Sequence, residues 1–463
     1  MSIKPRNFDK HMETQLVQQG ICTQKTLDKY SNKEKRYFFN MIYIGAVGRR
    51  KHPSDESAFS LFSNERRKYI PKASRFEELK TDIPLIQKIT SYWAGNWSDG
   101  YIITKAGYNV FSNSCKAVVR TGGLEDENNR PYNPPRNGIR SILKDGKKCH
   151  VKECVPTEIV INEFSLRRLM EHLKQQSNSE HIISQIQLIL ATATANRSGC
   201  LPTTYVQSPG GRFYAEGPLN LQNCSRIIRI AALIDHYDID IENCHYTLLA
   251  QMCERLRVST PYINHYIQNK KSVRADVAEF FNCSEKMSKE ILIALIYGSN
   301  LSRYGILSKL DLNLDNVTIH GSWIDNLYKE IVKVRKNVIK DYTNRTPGHF
   351  KIKNEAGMTK VTKTDKIMNA KHSTLLAHIL HGAESLILQH MIRFLGDDIV
   401  LLQHDGVTCH KSVNTAELSD YIAEKTGYRV KFDLEKLALN FGCDNFGLQQ
   451  PIDHEKLNEV YAA

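Results

Sequence analysis

Two aspartates, Asp240 and Asp405, each lie at the end of an apolar run that is typical of a β-strand. The runs fall within HYDIDIENCHYTLLA (236–250) and DDIVLLQHDGVTCH (397–410). A carboxylate is costly to hold beside a low-dielectric core. Two such carboxylates, brought together by the fold, would bind two divalent cations, an arrangement that supports nucleotidyl transfer. Asp238, two residues earlier on the same strand face, is a rival for the first carboxylate.

The elements predicted around these aspartates place them on either side of a large helical insertion over about 246–345. Apolar residues that recur every three to four positions predict helices at 161–176, 180–195, 285–300 and 373–395. The last helix leads directly into the second aspartate strand, and strand, helix and strand are predicted after it. We therefore expect a small mixed sheet to hold both aspartates. Residues 110–150, rich in Gly, Asn, Pro and Arg, predict a long loop or a hairpin.

The bulk composition fits a globular protein with an acidic partner. The chain has 463 residues, with 63 Lys and Arg against 50 Asp and Glu, for a net charge of +13. This length predicts roughly two to four domains or subdomains. The basic excess favours a polyanion, with binding that weakens as salt rises. Solvated helix faces explain the basic clusters at 33–36, 49–51 and 65–68 as well as nucleic-acid contacts do.

The sequence also gives an expectation for the cellular location of the protein. No signal peptide opens the chain, and no segment reaches the roughly 18 apolar residues of a membrane span. The 11 cysteines show no paired framework, so reduced thiols are expected. We expect a cytoplasmic protein (or one at a nuclear or viral replication site in a host cell), not secreted and with no membrane partner. Cys149 and Cys154, with His150 between them, lack the second half of a zinc site.

Four segments, taken in order, resemble family A (bacterial repair-type) DNA polymerases and phage-type single-subunit RNA polymerases. In the first, Gly211-Arg212 and the later residues Pro218, Asn220, Leu221, Gln222 and Asn223 are similar to a family stretch of Thr-Gly-Arg followed by Pro-Asn-Leu-Gln-Asn, with Leu219 as an extra residue. In the family this region lies along the primer–template minor groove. The resemblance therefore implies that Arg212, Gln222, Asn223 and Arg229 contact primer and template.

The second segment is similar to motif A, in which a catalytic Asp at a strand end is followed five residues later by a Glu. Asp240 takes the Asp position, and the residues that follow it favour this register over Asp238. His245 stands where the family has Glu. The resemblance implies that Asp240 and the backbone carbonyl of Ile241 bind metal, and that His245 borders the sugar of the incoming nucleotide.

The third segment resembles the fingers helix of both families. Lys289, Ile293 and Tyr297 are spaced four and four, which places them on one helix face, and Gly298 follows. The resemblance implies that Lys289 binds the triphosphate and that the other three border the nucleotide. The family has Arg four residues before the Lys, whereas this chain has Glu285, which at that spacing could instead pair with Lys289.

The fourth segment, Gln403-His404-Asp405, resembles motif C, in which His-Asp supplies the second carboxylate. The preceding segment HILHGAESLI (378–387) is similar to the helix before motif C. The resemblance implies that Asp405 binds metal and that His404 and His381 lie at the primer–template, with Glu384 as an active-site neighbour.

The resemblance covers about residues 180–463. It implies an α+β fold, a right-hand polymerase with an antiparallel-sheet palm, helical fingers and a helical thumb. The expected divisions are a basic N-terminal domain of unknown fold (1–160), thumb helices (161–205), the first part of the palm (206–250), fingers (251–372) and the second part of the palm (373–463).

The activity implied is extension of a primer with dNTPs by two-metal-ion catalysis. The ions would be Mg²⁺, with Mn²⁺ as a substitute, and the catalytic residues would be Asp240, Asp405 and Lys289. The partners would be a nucleic-acid primer–template, nucleoside triphosphates and replication accessory proteins. No early pattern of paired acidic residues predicts a 3′–5′ exonuclease, so we expect no proofreading. The compact size fits a viral or mobile-element member.

Other functions stay open. His245 can accept from or donate to a ribose 2′-hydroxyl, so a single-subunit RNA polymerase or primase using NTPs is the first alternative. A non-catalytic nucleic-acid-binding accessory protein is the second, and a metal-dependent nuclease is the third. Each segment alone also has a structural explanation. A His-Asp pair often forms a turn, Lys289 could lie at a core edge, and Asp240 could cap a helix.

Overall fold

The computed structural model describes most of the chain. The described residues are 3–46, 51–52, 55–90, 98–120, 122–126, 130–132, 138–140, 142–144, 147–149, 155–176, 179–217, 219–301, 305–310, 312, 317–344, 351–361 and 372–439. His150 and Cys154 of the cysteine pair lie outside these residues. Among the described helices, none combines the length and the apolar composition that a membrane span requires.

Helices form most of the regular structure. They are α1 (Phe8–Gln18), α2 (Gln24–Asp28), α3 (Asn32–Ala46), α4 (Ser63–Tyr69), α5 (Ala73–Asp82), α6 (Lys105–Lys116), α7 (Glu163–Leu173), α8 (Glu180–Ala195), α9 (Arg226–Ala232), α10 (Cys244–Arg255), α11 (Pro261–Gln268), α12 (Lys270–Phe280), α13 (Glu285–Ile296), α14 (Ile306–Lys309), α15 (Trp323–Asn344), α16 (His372–Leu395) and α17 (Thr415–Thr426).

The strands are short. They are β1 (Lys4–Pro5), β2 (Lys51–His52), β3 (Asp55–Phe62), β4 (Ile86–Thr90), β5 (Ser98–Ile103), β6 (Leu124–Glu125), β7 (Ile139–Arg140), β8 (Ile142–Lys144), β9 (Lys147–Cys149), β10 (Glu158–Ile159), β11 (Leu201–Pro202), β12 (Tyr205–Gln207), β13 (Phe213–Ala215), β14 (Tyr237–Ile241), β15 (Lys351–Lys353), β16 (Thr359–Val361), β17 (Ile399–Leu402), β18 (Gly406–Cys409) and β19 (Phe432–Lys436). Helices and small, mainly antiparallel sheets together make an α+β fold.

The sheet that matters for function is four-stranded, with the order β17-β18-β14-β19. All three pairings are antiparallel, so the expected mixed sheet is wrong. The residues of β17 and β18 are all buried, which explains why their sequences are nearly continuous apolar runs. Strand β14 comes before the helical insertion and the other three strands come after it, so the sheet closes a long excursion of the chain.

This sheet lies where two hydrophobic cores meet. Val400 and Leu401 of β17 pack in a core shared with α1, α3, α6, α7, α8 and α9. Ile399 and Leu402 of the same strand pack in a second core, built from α10 to α13 and from α15 to α17. Because β17 contributes to both cores, the turn that follows it, with Asp405, is fixed from two sides.

Several predicted elements have shifted limits. The helix predicted over 180–195 is α8, whereas the one predicted over 161–176 is confined to Glu163–Leu173. Residues 110–150 are not simply a loop, because they begin within α6 and include the β8–β9 hairpin. The N-terminal region, for which no fold was predicted, contains a four-stranded sheet of order β2-β3-β5-β4.

Candidate active site

The two predicted carboxylates lie side by side. Asp240 is the penultimate residue of β14 and pairs in register with Gly406, the first residue of β18. Asp405 precedes Gly406 in the β17–β18 turn, and its carbonyl oxygen accepts a hydrogen bond from the Ile241 N–H at 3.0 Å. The structure thus brings together one aspartate from each side of the helical insertion.

The negative charges of Asp240 and Asp405 lie close together and are only partly balanced by nearby arginines. Burial and the negative charges of Asp405 and Asp238 raise the pKa of Asp240 to about 7, although the positive charges of Arg229 and Arg226 oppose the shift. Carboxylate oxygens are hard ligands, which suit Mg²⁺ or Mn²⁺. A divalent cation would relieve the repulsion, so the donor set fits the metal that the sequence predicts at Asp240, Asp405 and the Ile241 carbonyl.

Asp238, the rival carboxylate, is already occupied. It is 5% exposed and accepts a hydrogen bond of 2.5 Å from Thr408 Oγ1 on the neighbouring strand. The Arg229 Nε atom lies 3.9 Å from its other oxygen. Asp238 therefore has structural partners that Asp240 does not share, which supports Asp240 as the metal ligand. Arg229, predicted at the primer–template, thus lies beside this buried aspartate.

A buried carboxylate organises the next group of side chains, which we call the Glu384 network (Arg212, His245, Tyr297 and Glu384). Glu384 Oε2 lies 2.6 Å from Arg212 Nη2 and 2.6 Å from His245 Nε2. The Tyr297 hydroxyl lies 2.7 Å from His245 Nδ1. Four residues from four separate segments therefore meet at one point, and three of the four were predicted site residues.

The backbone before Arg212 explains how this arginine reaches Glu384. Gly211 has φ +109°, and a Cβ added there would lie 3.0 Å from Ala356 Cβ and 3.2 Å from Ser385 Cβ. Ser385 Oγ donates to the Gly211 carbonyl at 2.7 Å. A glycine is therefore needed for the segment to approach α16, and that approach places Arg212 next to Glu384.

The network is charged despite its burial. Burial alone would raise the pKa of Glu384, but the hydrogen bond from His245 and the charge of Arg212 outweigh it and hold the pKa below its usual range. Burial, assisted by the Arg212 charge, lowers the pKa of His381 to about 3. Burial raises the pKa of Tyr297. Glu384 is therefore ionised, His381 is neutral, and the Tyr297 hydroxyl keeps its proton.

The network and the carboxylate pair are neighbours. The charges of Glu384, Asp405 and Asp240 all act on the buried Cys244 thiol and, together with burial, raise its pKa. Burial and the charge of Arg212 lower the pKa of His404, while Glu384 and Asp405 oppose them. Both groups of charges therefore act on the same small region, between the end of β14 and the β17–β18 turn.

Helix α13 carries the predicted residues Lys289 and Ile293 and ends next to Tyr297. Helix α13 begins after Ser284, whose hydroxyl caps it, and ends at Ile296, so Tyr297 is its C-cap. Tyr297 points into the network, whereas Lys289 and Ile293 are exposed. Within the described residues Lys289 has no ion-pair partner, so the surface pair with Glu285 is not formed. Gly298 follows with φ +85°.

The other predicted primer–template residues differ in their surroundings. The Gln222 side chain accepts from Ala215 N–H and donates to the carbonyls of Phe213 and Leu402, each at 2.8–3.0 Å, so it ties two strands together. Asn223 is exposed. The His404 ring lies 4.7 Å from the Tyr214 ring, and the His381 ring lies 5.9 Å from that of His245.

The sequence predicted Glu384 only as an active-site neighbour, whereas in the structure it binds two predicted site residues. A glutamate inside the apolar helical run HILHGAESLI was a usable signal, since a charge there must have partners. Cys244, His245 and Glu384 also lie close enough to share a metal ion. However, Arg212 is already bound to Glu384 Oε2, and its fixed positive charge opposes a second cation at that oxygen.

Comparisons with known proteins give limited likenesses. No protein-family model matches the chain. The putative helicase V13 of Sputnik virophage is 33% identical over 90 residues, which are 19% of this chain and 11% of that protein. The POL domain of Pol1 from M. smegmatis, solved in complex with DNA primer-template and dNTP, has a TM-score of 0.39 and 14% identity, over 58% of this chain and 54% of that one. The chain thus spans about a tenth of the curated relative and about half of the structural one. These likenesses do not assign it to a family.

Proposed function

We propose that the chain is a DNA polymerase that extends a primer with dNTPs by two-metal-ion catalysis and has no proofreading exonuclease. The observation that carries the proposal is the juxtaposition of Asp240 and Asp405 on paired strands, fixed by the Ile241–Asp405 backbone hydrogen bond. The Glu384 network, next to these carboxylates, adds the side chains that a bare metal site lacks. A right-hand arrangement of palm, fingers and thumb, with the divisions given above, belongs to the same proposal.

The chain's own residues have distinct tasks in this reaction. The primer 3′-hydroxyl attacks the α-phosphate of the nucleotide, and pyrophosphate leaves. Asp240 and Asp405, with the Ile241 carbonyl, would hold two Mg²⁺ ions, which when bound supply Lewis-acid activation and charge shielding. Lys289 is exposed and has no ion pair within the part of the chain that the structure describes, so it can neutralise the triphosphate without losing one there.

The remaining site residues bind and orient. Tyr297 and Gly298 form the floor beneath the new base pair, with Ile293 beside them. His245, fixed against Tyr297, borders the sugar. Side chains along the 212–229 segment and the two histidines before and within motif C face the duplex: Arg212, Gln222, Asn223, Arg229, His381 and His404. These side chains would contact the sugar–phosphate backbone of the nucleic acid and would not read its base sequence.

Primer extension with Mg²⁺ tests the proposal, with dNTPs and NTPs compared on DNA and RNA templates. We expect dNTP addition by the wild type and its loss in Asp405→Ala. Asp397→Ala is the matched control, since Asp397 is an exposed aspartate of the same β17 approach, and it should extend normally. Activity that survives Asp405→Ala would overturn the proposal, and a strong preference for NTPs would replace it with an RNA polymerase or primase.

The same preparation distinguishes the other functional classes. A non-catalytic accessory protein would bind primer–template but add no nucleotide with Mg²⁺ or Mn²⁺. A metal-dependent nuclease would shorten the substrate and would not respond to Lys289→Ala. Excision of a mismatched primer end would contradict the absence of proofreading. Binding should weaken with salt, because a net charge of +13 favours contacts to phosphates.

A further inference from the structure

We propose that buried Glu384 is the positioning residue that sets sugar selection, because it holds His245 in one orientation against Tyr297. The inference rests on the proposed polymerase function and adds a residue to it. His245 stands on α10 and Tyr297 ends α13, whereas Glu384 comes from α16. A third element therefore fixes the contact between the other two.

The hydrogen-bond chemistry defines the orientation of the imidazole ring. An ionised carboxylate only accepts, and a guanidinium only donates. Glu384 Oε2 therefore accepts from both Arg212 Nη2 and His245 Nε2, and the 3.2 Å approach of these two nitrogens is a meeting of two donors. His245 Nε2 must carry a proton. In the neutral ring, Nδ1 is then the acceptor and the Tyr297 hydroxyl donates to it.

The rings of His245 and Tyr297 form a rigid surface, which we call the His245–Tyr297 wall. The two rings meet edge to face, with centroids 5.5 Å apart and planes at 83°. Both ring nitrogens of His245 and the hydroxyl proton of Tyr297 take part in hydrogen bonds within the network. Glu384 is fully buried and Arg212 is 15% exposed in its side chain, so the support cannot move freely. A ribose 2′-hydroxyl that reaches this wall meets fixed rings and no free donor.

The network is not the arrangement that stability alone would favour. Within the described residues, the Glu384 Oε1 and Arg212 Nε atoms are buried without a hydrogen-bond partner. Unsatisfied buried polar atoms are destabilising. A purely structural ion pair would use both carboxylate oxygens. The geometry instead concentrates both donors on Oε2, the oxygen that orients His245.

The sharpest experiment measures kcat/KM for a matched dNTP and NTP pair in wild type, Glu384→Gln and Glu384→Ala. We expect discrimination between the two sugars to fall by roughly tenfold or more in Glu384→Ala, the scale of one lost hydrogen-bonded constraint. Gln389→Ala is the matched control. It removes a side-chain hydrogen bond to Ser385 on the same helix, leaves the Ser385–Gly211 hydrogen bond in place, and should leave the ratio unchanged.

A second measurement is independent of catalysis. ¹⁵N NMR of the imidazole of His245 should show a protonated Nε2 in the wild type and the loss of that signature in Glu384→Ala. Glu384→Leu, which is of similar size but offers no acceptor, gives the same comparison if the alanine variant does not fold. An unchanged His245 signal, or an unchanged sugar ratio, in folded Glu384→Ala or Glu384→Leu overturns the inference. Extension that survives Asp405→Ala instead overturns the proposed function.

Discussion

Gly406 faces Asp240 so closely that a Cβ added to it would lie 2.2 Å from Asp240 Oδ1 and 2.2 Å from the Ile239 carbonyl oxygen. The absence of a side chain at this position is what lets the β17–β18 turn lie against the Asp240 carboxylate. Gly406→Ala should therefore displace the Asp240 side chain, abolish primer extension and lower the free energy of unfolding by about 1–3 kcal/mol through overpacking. Primer extension and urea unfolding measure the two effects.

Gly396→Ala is the control for the loss of stability. Gly396 has φ +54° and open space around its Cβ position, so alanine there is strained by about 1–3 kcal/mol but contacts no carboxylate. It should lose similar stability and keep activity. Equal loss of activity in both variants would mean that Gly406 acts only through folding.

Removal of one of the paired charges should stabilise the protein in the absence of metal. Burial and, after it, the negative charge of Asp405 raise the pKa of Asp240, so Asp405→Asn relieves an unfavourable interaction between like charges. We expect a higher Tm than that of the wild type in EDTA. With Mg²⁺ the order should reverse, because only the wild type gains stability from metal binding.

Differential scanning calorimetry with and without Mg²⁺ measures this crossover. Asp397→Asn removes an exposed aspartate at the opposite end of β17 and should change neither the Tm in EDTA nor the response to Mg²⁺. If Asp405→Asn keeps the full Mg²⁺ response, the cation binds elsewhere.

The contact between Thr408 and Asp238 should matter for stability and not for chemistry. Thr408→Val preserves the shape but removes the donor, which leaves the buried Asp238 carboxylate with one partner fewer. The free energy of unfolding should fall by about 1–3 kcal/mol. Metal binding should be retained, since Asp240 is unaffected. Calorimetric titration with Mn²⁺ checks this. A Thr408→Val variant with normal stability but no Mn²⁺ binding would mean that Asp238 is a metal ligand.

The sequence could predict elements that depend on local periodicity. Helix α8 has the predicted limits, and α16 leads into β17 as its apolar pattern indicates. The choice between Asp238 and Asp240 was harder, because both lie on one strand face. In the structure Asp238 accepts a hydrogen bond from Thr408, a residue on a neighbouring strand that no local pattern could associate with it.

Two further features depend on contacts between distant segments. In the sheet β2-β3-β5-β4, strand β3 pairs with β5 across α4, α5 and β4, and neither spacing nor composition specifies that pairing. Glu384 was visible as a charge in an apolar helix, but its partners Arg212 and His245 come from two other segments. Its role could therefore be recognised only once the three segments were in place.

The Glu384 network also predicts a pH dependence of stability. Arg212 and His245 bind the carboxylate, and His381 lies nearby with a pKa of about 3, so it stays neutral over the range of interest. The folded-state pKa of Glu384 lies below its ordinary value of 4.5. In the ordinary pH range the unfolded state therefore takes up the proton before the folded state does. The stability contributed by ionised Glu384 is complete above pH 4.5 and is lost as the pH falls through the lower, folded-state value.

Glu384→Gln has no carboxyl group to protonate at this position, so it should lack this part of the acid response. We expect the difference in unfolding free energy between wild type and Glu384→Gln to be largest near neutral pH and to shrink as the pH falls below 4.5. Urea unfolding at several pH values measures the difference, and the other carboxyl groups cancel because both proteins share them. A difference that stays constant with pH would mean that the charge of Glu384 contributes nothing and that only its shape matters.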